Sequence, residues 1–416
     1  MTTVNLAIWS ICALATLGVL VRPFRWPEAV WAVLGAVALV AFGLLPIADA
    51  SRAVGKGLDV YLFLIGMMLL SETARAEGLF DWVAAIAVSR SDRSPRKLFL
   101  LIYAVGVVVT TFLSNDAAAV VLTPAVFAAA RKAKAEPLPY LFICAFIANA
   151  ASFVLPISNP ANLVLYGDHT PPLAQWMKSF ALPSVASIGA TFLVLRWSQR
   201  KALLGDCECD VEQPKLSTGG WTVLIGLGMT AVVLLIVSAL NIPLGAPTCV
   251  MGVVATGIVL AIKRASPLPV MRGVSWSVLA LVAGLFVLVE ALDRSGLTAA
   301  IATQLRSMAV NSVDGAAAAA GATLAVVSNL MNNLPAGLVA STAIAQAHPP
   351  QKVVDALLIG VDLGPNLSIT GSLATILWLN AIRREGEEVS FLKFLKVGAV
   401  VMPPALILAI GARLIV

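Results

Sequence analysis

Leu70-Ser71-Glu72-Thr73-Ala74-Arg75-Ala76-Glu77-Gly78-Leu79 returns about 218 residues later as Leu288-Val289-Glu290-Ala291-Leu292-Asp293-Arg294-Ser295-Gly296-Leu297. The match runs without a gap from Leu58–Ala128 onto Trp276–Gln346, and it sets Gly66 on Gly284, Asn115 on Asn333 and Ala118 on Ala336. An acidic pair and an amide pair therefore superpose inside otherwise apolar segments. Within a bilayer, a duplication of this kind marks a secondary transporter whose site lies between the repeats.

The composition places the chain in a bilayer. Hydrophobic residues make up 59% and charged residues 12% of the 416 positions, and the mean hydropathy is +0.93. No soluble core could absorb that much apolar surface. Apolar stretches recur at Leu6–Val21, Pro27–Leu45, Leu58–Thr73, Leu138–Leu155, Phe180–Leu195, Trp221–Leu240, Pro247–Ile262, Val274–Leu292, Val353–Leu363 and Val397–Val416. Each reads as a helix, because only helices satisfy their own backbone in lipid. The expected class is an all-α polytopic membrane protein. Leu6–Val21 lacks a basic leader and a clear cleavage site, and it reads as a retained first helix.

Basic residues fall in blocks: Arg22 and Arg25; Arg90, Arg93, Arg96 and Lys97; Arg131, Lys132 and Lys134; Arg196, Arg200 and Lys201; Lys263, Arg264 and Arg272; Arg383 and Arg384. Placing all of them in the cytoplasm gives a self-consistent path with both termini outside, with Arg52 and Lys56 as the main exceptions. On this path Leu58–Thr73 and Val274–Leu292 run in opposite directions, so the repeats are of inverted topology. The net charge of +6 is mostly this orientation bias, and no nucleic-acid partner is implied. The expected organisation is N-terminal helices 1–57, repeat one 58–198, a cytoplasmic linker 199–220, helices 221–273 opening the second half, and repeat two 274–416.

Two segments read as re-entrant hairpins, 98–130 and 316–347. The arms Leu98–Leu113 and Ala117–Ala130 flank Ser114-Asn115-Asp116, and an arm of about 15 residues rises only about 22 Å against a core of about 30 Å. In the second half, Ala316–Val327 and Pro335–Ala347 flank the run from Ser328 to Asn333. Each hairpin precedes a broken helix: Leu155-Pro156-Ile157-Ser158-Asn159-Pro160-Ala161-Asn162, and the stretch from Asp362-Leu363-Gly364-Pro365 through Thr370-Gly371-Ser372. Proline and glycine free backbone carbonyls and amides there, which at membrane depth is tolerated only in protein or beside a cavity. The candidate solute-binding residues are Ser114, Asn115, Asp116, Ser158, Asn159, Asn162, Asn332, Asn333, Thr370, Gly371 and Ser372. Asp116, Asp362, Glu72 and Glu290 are acids in apolar segments and candidates for proton coupling, with Asp116 at a hairpin tip the first choice of carrier and Asp362 beside a break the second. Glu72 and Glu290 stand near Arg75 and Arg294, where interfacial ion pairs are the competing role.

Other constellations are weak. His169 and His348 form no metal-ligand spacing with the carboxylates. Cys12, Cys144 and Cys249 sit in spans, and Cys207-Glu208-Cys209-Asp210 lies in the linker, read as solvated. The chain contains no Walker A sequence, no metal motif and no nucleophile–base pair, so neither a cofactor nor an enzymatic role is expected.

The motifs Thr111-Phe112-Leu113-Ser114-Asn115-Asp116, Met331-Asn332-Asn333-Leu334-Pro335, Asp362-Leu363-Gly364-Pro365 and Thr370-Gly371-Ser372-Leu373-Ala374-Thr375 resemble those of the ArsB arsenite-efflux permeases of the ion transporter superfamily. The similarity covers nearly the whole chain. It implies about ten transmembrane helices plus two re-entrant hairpins in a prokaryotic inner membrane. It also implies export of As(III) and Sb(III) oxyacids with protons as counter-ion, and a cytoplasmic ATPase as a candidate partner. The uncharged trihydroxide form of arsenite suits amides and hydroxyls. The rival readings are a sodium/proton antiporter of the NhaD type, for which Asn115, Asp116, Asn333 and Asp362 would serve as oxygen ligands, and an organic or divalent anion transporter of the same superfamily.

Overall fold

The computed structural model describes residues 3–167, 170–209 and 215–416; His169 and Asp210 lie outside the described residues. All regular structure among the described residues is helical. Seven helices are long and apolar enough to cross a membrane, or eight if Ile47–Lys56 and Leu58–Ala76, bent by 47° at their junction, form one span.

The two halves carry the same elements in the same order, and the correspondence begins earlier than Leu58. Thr3–Val21, Glu28–Ala41 and Ile47–Lys56 match Thr218–Ala239, Gly245–Lys263 and Leu268–Gly273. Leu58–Ala76 then matches Ser277–Arg294, Leu79–Ser89 matches Leu297–Asn311, and the arm Pro95–Leu113 matches Val313–Met331. The return arm is Asn115–Ala117, Ala118–Leu122 and Thr123–Lys132 in the first half and Asn333–Ala347 in the second. The broken helices pair Pro137–Ala150 with Gln351–Leu363 and Pro160–Tyr166 with Leu373–Arg384, and Leu173–Ser198 matches Phe391–Ile415. Residues 1–57 and 221–273, expected as separate openings, are thus equivalent to one another.

The opening pairs are exchanged between halves. Glu28–Ala41 packs on Ser277–Arg294, and Gly245–Lys263 packs on Leu58–Ala76. Between apolar helices in lipid the attraction is mainly van der Waals contact, so small residues allow the close approach. A Cβ on Gly66 would come within 2.2 Å of the Thr248 carbonyl oxygen, and one on Gly284 within 2.8 Å of the Ala32 backbone. The superposed glycines Gly66 and Gly284 therefore occupy equivalent packing sites. Lys56 pairs with Glu290 at 2.7 Å at one end, and Gly273 lies against the Glu72 side chain at the other. Leu58–Ala76 and Ser277–Arg294 accordingly run antiparallel.

The hairpins differ from expectation in length. Pro95–Leu113 and Val313–Met331 are each 19 residues long, about 28 Å at 1.5 Å per residue. The first gains three residues because Ser94 caps Lys97 N ahead of Pro95; the second continues to Met331, so only Asn332 breaks it. Conversely, Glu28–Ala41 and Pro137–Ala150, at 14 residues each, are shorter than the expected stretches Pro27–Leu45 and Leu138–Leu155, and Gln351–Leu363, at 13 residues, begins two residues before the expected Val353. In the return arm of the first hairpin, Ala118–Leu122 forms a π-helical turn just before Pro124. Proline has no N–H to give and crowds the preceding turn, which accounts for the widening.

The linker is not simply solvated. Cys207 N donates to Arg93 O at 3.0 Å and Glu208 N to Ala133 O at 2.8 Å, and Lys134 pairs with Glu208 at 2.5 Å. Residues around Cys207 thus strap both ends of the first hairpin, and burial pushes the Cys207 thiol up, away from the reactive thiolate.

Candidate functional site

The hairpin ends carry the same unusual backbone. Ser114 has φ 88 and ψ 161, and Asn332 has φ 74 and ψ 151, a region that L residues rarely enter. Holding a non-glycine there costs on the order of 1–3 kcal/mol. The last carbonyls of the two rising arms are then taken up identically: Ser158 Oγ donates to Thr111 O at 3.0 Å, and Thr370 Oγ1 donates to Asn329 O at 3.0 Å. Thr111 and Asn329 are the residues that the sequence superposes. Each break of a half therefore satisfies the hairpin of that half.

The breaks themselves also repeat. Asn159 caps the short helix at Ala161 N, and Ser372 caps its counterpart at Thr375 N, at 3.0 and 3.1 Å. Asn162 Nδ2 donates to the carbonyls of Ser152, Leu155 and Pro156, as Thr375 Oγ1 donates to Ile369 O. Counting back from the caps puts Asn149 in the place that Asp362 holds in the second half. The contacts between halves follow that pairing. Asn159 Nδ2 donates to Asp362 Oδ1 at 2.8 Å, and its counterpart Ser372 Oγ donates to Asn149 Oδ1 at 3.3 Å. Asn149 Nδ2 further donates to Asn366 Oδ1 at 3.0 Å, and Asn366 Nδ2 to Phe146 O at 3.0 Å.

This cluster is enclosed: Asn149, Asn162, Asp362, Asn366 and Ser372 are each fully buried, and Asn159 nearly so. Among the described residues no partner reaches Asp362 Oδ2, Asn162 Oδ1 or Asn115 Oδ1. An unsatisfied buried polar group is costly, a carboxylate most of all. These three oxygens are buried acceptors left open among the described residues.

Two cavities border the short helix Pro160–Tyr166, and none of the cluster's residues lines either of them. One, of about 420 Å³, is lined by Lys56, Val60, Phe286, Val289, Glu290 and Leu338 among others. The other, of about 70 Å³, is lined by Met68, Ser71, Glu72, Val120, Val274 and Val278, together with Ser114, Asp116 and Pro160. At the 218-residue shift these are the same positions: Val60 with Val278, Met68 with Phe286, Ser71 with Val289, Glu72 with Glu290, Val120 with Leu338. They lie at opposite ends of the antiparallel helices, and Pro160–Tyr166 stands between them, Pro160 on the narrow cavity and Tyr166 on the wide one.

The structure distributes the expected site residues unevenly. Asn159, Asn162, Ser372 and Asp362 come together. Ser114 and Asp116 line the narrow cavity. Ser158 and Thr370 are used on hairpin carbonyls, and Asn332 accepts from Leu334 N at 3.3 Å. Gly371 lies tight against Pro365 and the Asn329 amide, where no Cβ fits. Asn115 and Asn333 are buried at the starts of the return arms. Glu72 is in a bidentate pair with Arg75 at 2.5 and 2.8 Å. Glu290 binds Lys56 at 2.7 Å and Arg294 at 3.6 Å. The competing ion-pair role is the one these two adopt. Arg294 also binds Asp49 at 2.6 Å. Asn149, Asn366 and Asn329 complete the polar shell; the signal for Asn366 was present in the Gly364-Pro365-Asn366 break itself. Asp355, fully buried, was missed: it accepts from Arg413 Nε at 2.7 Å and from Tyr166. It sits inside an apolar run, where one acid does not disturb the hydropathy pattern.

A profile of the citrate transporter family matches residues 10–364. The chain belongs to the citrate transporter family. In line with the arsenite-permease resemblance of its motifs, the chain is similar to an arsenical pump membrane protein of Escherichia coli, 27% identical over 401 residues with 92% of each chain covered. The arsenical pump membrane protein of Escherichia coli strain K12 is 29% identical over 401 residues, again covering 92% of each. The fold resembles that of the YdaH transporter of Alcanivorax borkumensis, with a TM-score of 0.58 at 16% identity, covering 89% of this chain and 86% of that one. The family and fold make this protein a membrane-embedded transporter.

Proposed function

We propose that the protein exports arsenite and antimonite by proton antiport, with the two repeats inverted about the Asn159–Asp362 and Asn149–Ser372 contacts. The observation that carries the reading is this duplicated contact, because it puts one set of amides and hydroxyls between the halves, beside the helix Pro160–Tyr166 that borders two equivalent cavities. A wide cavity at one end and a narrow one at the other is the asymmetry expected of alternating access, in which the repeats exchange conformations. The solute would be held by Asn149, Asn159, Asn162, Asn366 and Ser372. Asp362 would carry the proton, since one of its oxygens is anchored on Asn159 while the other is unpartnered. Asp116 would act where protons enter from the narrow cavity. Glu72 and Glu290 would act as clasps at the cavity mouths.

Among the described residues no cation joins this cluster, which favours an uncharged solute. Arg413, the one buried cation among the described residues, is held by Asp355. Citrate, which gives the family its name, would bring several negative charges beside Asp362 with no Lys or Arg to meet them. The names of the relatives point the same way as the cluster.

The test is As(III) uptake into inverted vesicles, with and without a proton gradient, sodium varied separately and citrate added as competitor. Proton-driven accumulation of As(III), insensitive to citrate and to sodium, is the expected result. Sodium movement without As(III) movement would replace this reading with a sodium/proton antiporter, and citrate uptake would replace it with an anion transporter.

A further inference from the structure

A third cavity, of about 540 Å³, lies outside the site, between Leu79–Ser89, the hairpin arm Pro95–Leu113 and Thr218–Ala239. Its walls are aliphatic and aromatic, including Val83, Leu101, Val108, Phe112 and Leu224, and Arg90 is the only charged residue that lines it. Val108 and Phe112 are 56% and 41% exposed, so the cavity opens on the outer surface of the bundle. From Leu101 to Leu113 the arm rises roughly 18 Å, close to the depth of one leaflet of a hydrocarbon core about 30 Å thick. Arg90 is exposed and, among the described residues, forms no ion pair; the same holds for its neighbours Arg93 and Arg96. Nearby basic groups that lie close to a carboxylate are paired, as in Lys97 with Asp92 and Lys134 with Glu208.

We propose that this cavity binds an anionic diacyl phospholipid, with the acyl chain along Leu101–Leu113 and the phosphate on Arg90. A single charged residue on an otherwise apolar cavity, along an arm that rises about one leaflet, matches the headgroup and the chain of such a lipid. A guanidinium is suited to phosphate, and basic groups at the cytoplasmic face attract anionic headgroups. The bound chain touches Phe112 and Leu113, immediately before Ser114. Lipid occupancy therefore stiffens the arm that carries the first hairpin tip. This binding does not depend on which solute is transported.

The experiment is native mass spectrometry of the full-length protein in detergent, titrated with phosphatidylglycerol or with phosphatidylcholine of the same chains. The wild type is expected to hold phosphatidylglycerol about fivefold more tightly, the factor expected of one cationic contact. Arg90→Gln is expected to remove that preference, and Val108→Trp to weaken retention of both lipids by filling the slot. Equal retention of the two lipids by the wild type, or an unchanged preference in Arg90→Gln, overturns the proposal. Because a variant can fail to fold, the wild type is also photolabelled with phosphatidylglycerol carrying a diazirine at the acyl end. Adducts within 101–113 support the site; adducts elsewhere, or a dimer interface shielding this face, overturn it.

Discussion

At the scale of single residues, Asp362 and Asn149 hold equivalent places but only the first can ionise, and the chemistry of the centre turns on that difference. With Asp362 as the proton carrier, Asp362→Asn preserves size and the bond from Asn159 but removes the proton. Solute exchange across vesicles should persist while proton-driven accumulation falls to background; accumulation at wild-type level would exclude Asp362 as the carrier. Asp116→Asn should slow accumulation without abolishing it, because that side chain faces the narrow cavity and not the enclosed cluster. The hairpin ends make a prediction about stability. Ser114→Gly places a permissive residue at φ 88 and should raise the thermal midpoint, a gain of about 1 kcal/mol. A fall in the midpoint would mean that the Ser114 side chain contributes more than its backbone costs.

At the scale of elements, Gly66 and Gly228 separate two kinds of glycine. Gly66→Ala drives a Cβ into Thr248 backbone and should destabilise by about 1–3 kcal/mol, whereas Gly228→Ala meets nothing within 4 Å and should be neutral or mildly stabilising. Thermal unfolding in detergent measures both. The expected topology has its own check: cysteines at Ala135 and His348 should label from opposite sides of the membrane, and labelling from the same side would contradict inverted repeats. Much at this level was legible in sequence. The match of Leu58–Ala128 to Trp276–Gln346, the paired arms around Ser114 and Asn332 and both breaks follow from apolar period and from proline and glycine, whereas the arms expected to be too short to cross are, in Pro95–Leu113 and Val313–Met331, long and apolar enough to do so. The earlier equivalence of Thr3–Lys56 with Thr218–Gly273 was hidden because those helices face lipid, where any apolar residue serves and similarity decays. The arm lengths were misjudged because Ser94 and Pro95 look like loop until their role as a cap is seen. The partners of Asn149 and Asn366 were illegible for another reason: contacts between halves separated by more than two hundred residues leave no local trace.

At the scale of the whole molecule, the two cavities predict accessibility. Ser341→Cys lines the wide cavity and Ser71→Cys the narrow one. The first should react quickly with a small water-soluble thiol reagent and the second slowly, and conditions that drive transport should bring the two rates together. Equal rates at rest would argue against alternating access between these cavities. The near-equivalence of the halves has one more consequence. A chain whose halves were chemically identical would have degenerate resting states, half of its molecules facing each way, and a gradient alone would decide the direction of flow. Whatever biases the resting populations must therefore reside at positions where the halves disagree, and Asn149 opposite Asp362 is the one place in the enclosed cluster where an ionisable group faces an amide. Exchanging them, as Asn149→Asp with Asp362→Asn, would leave the composition of the molecule untouched and reflect its preference from one face of the membrane to the other.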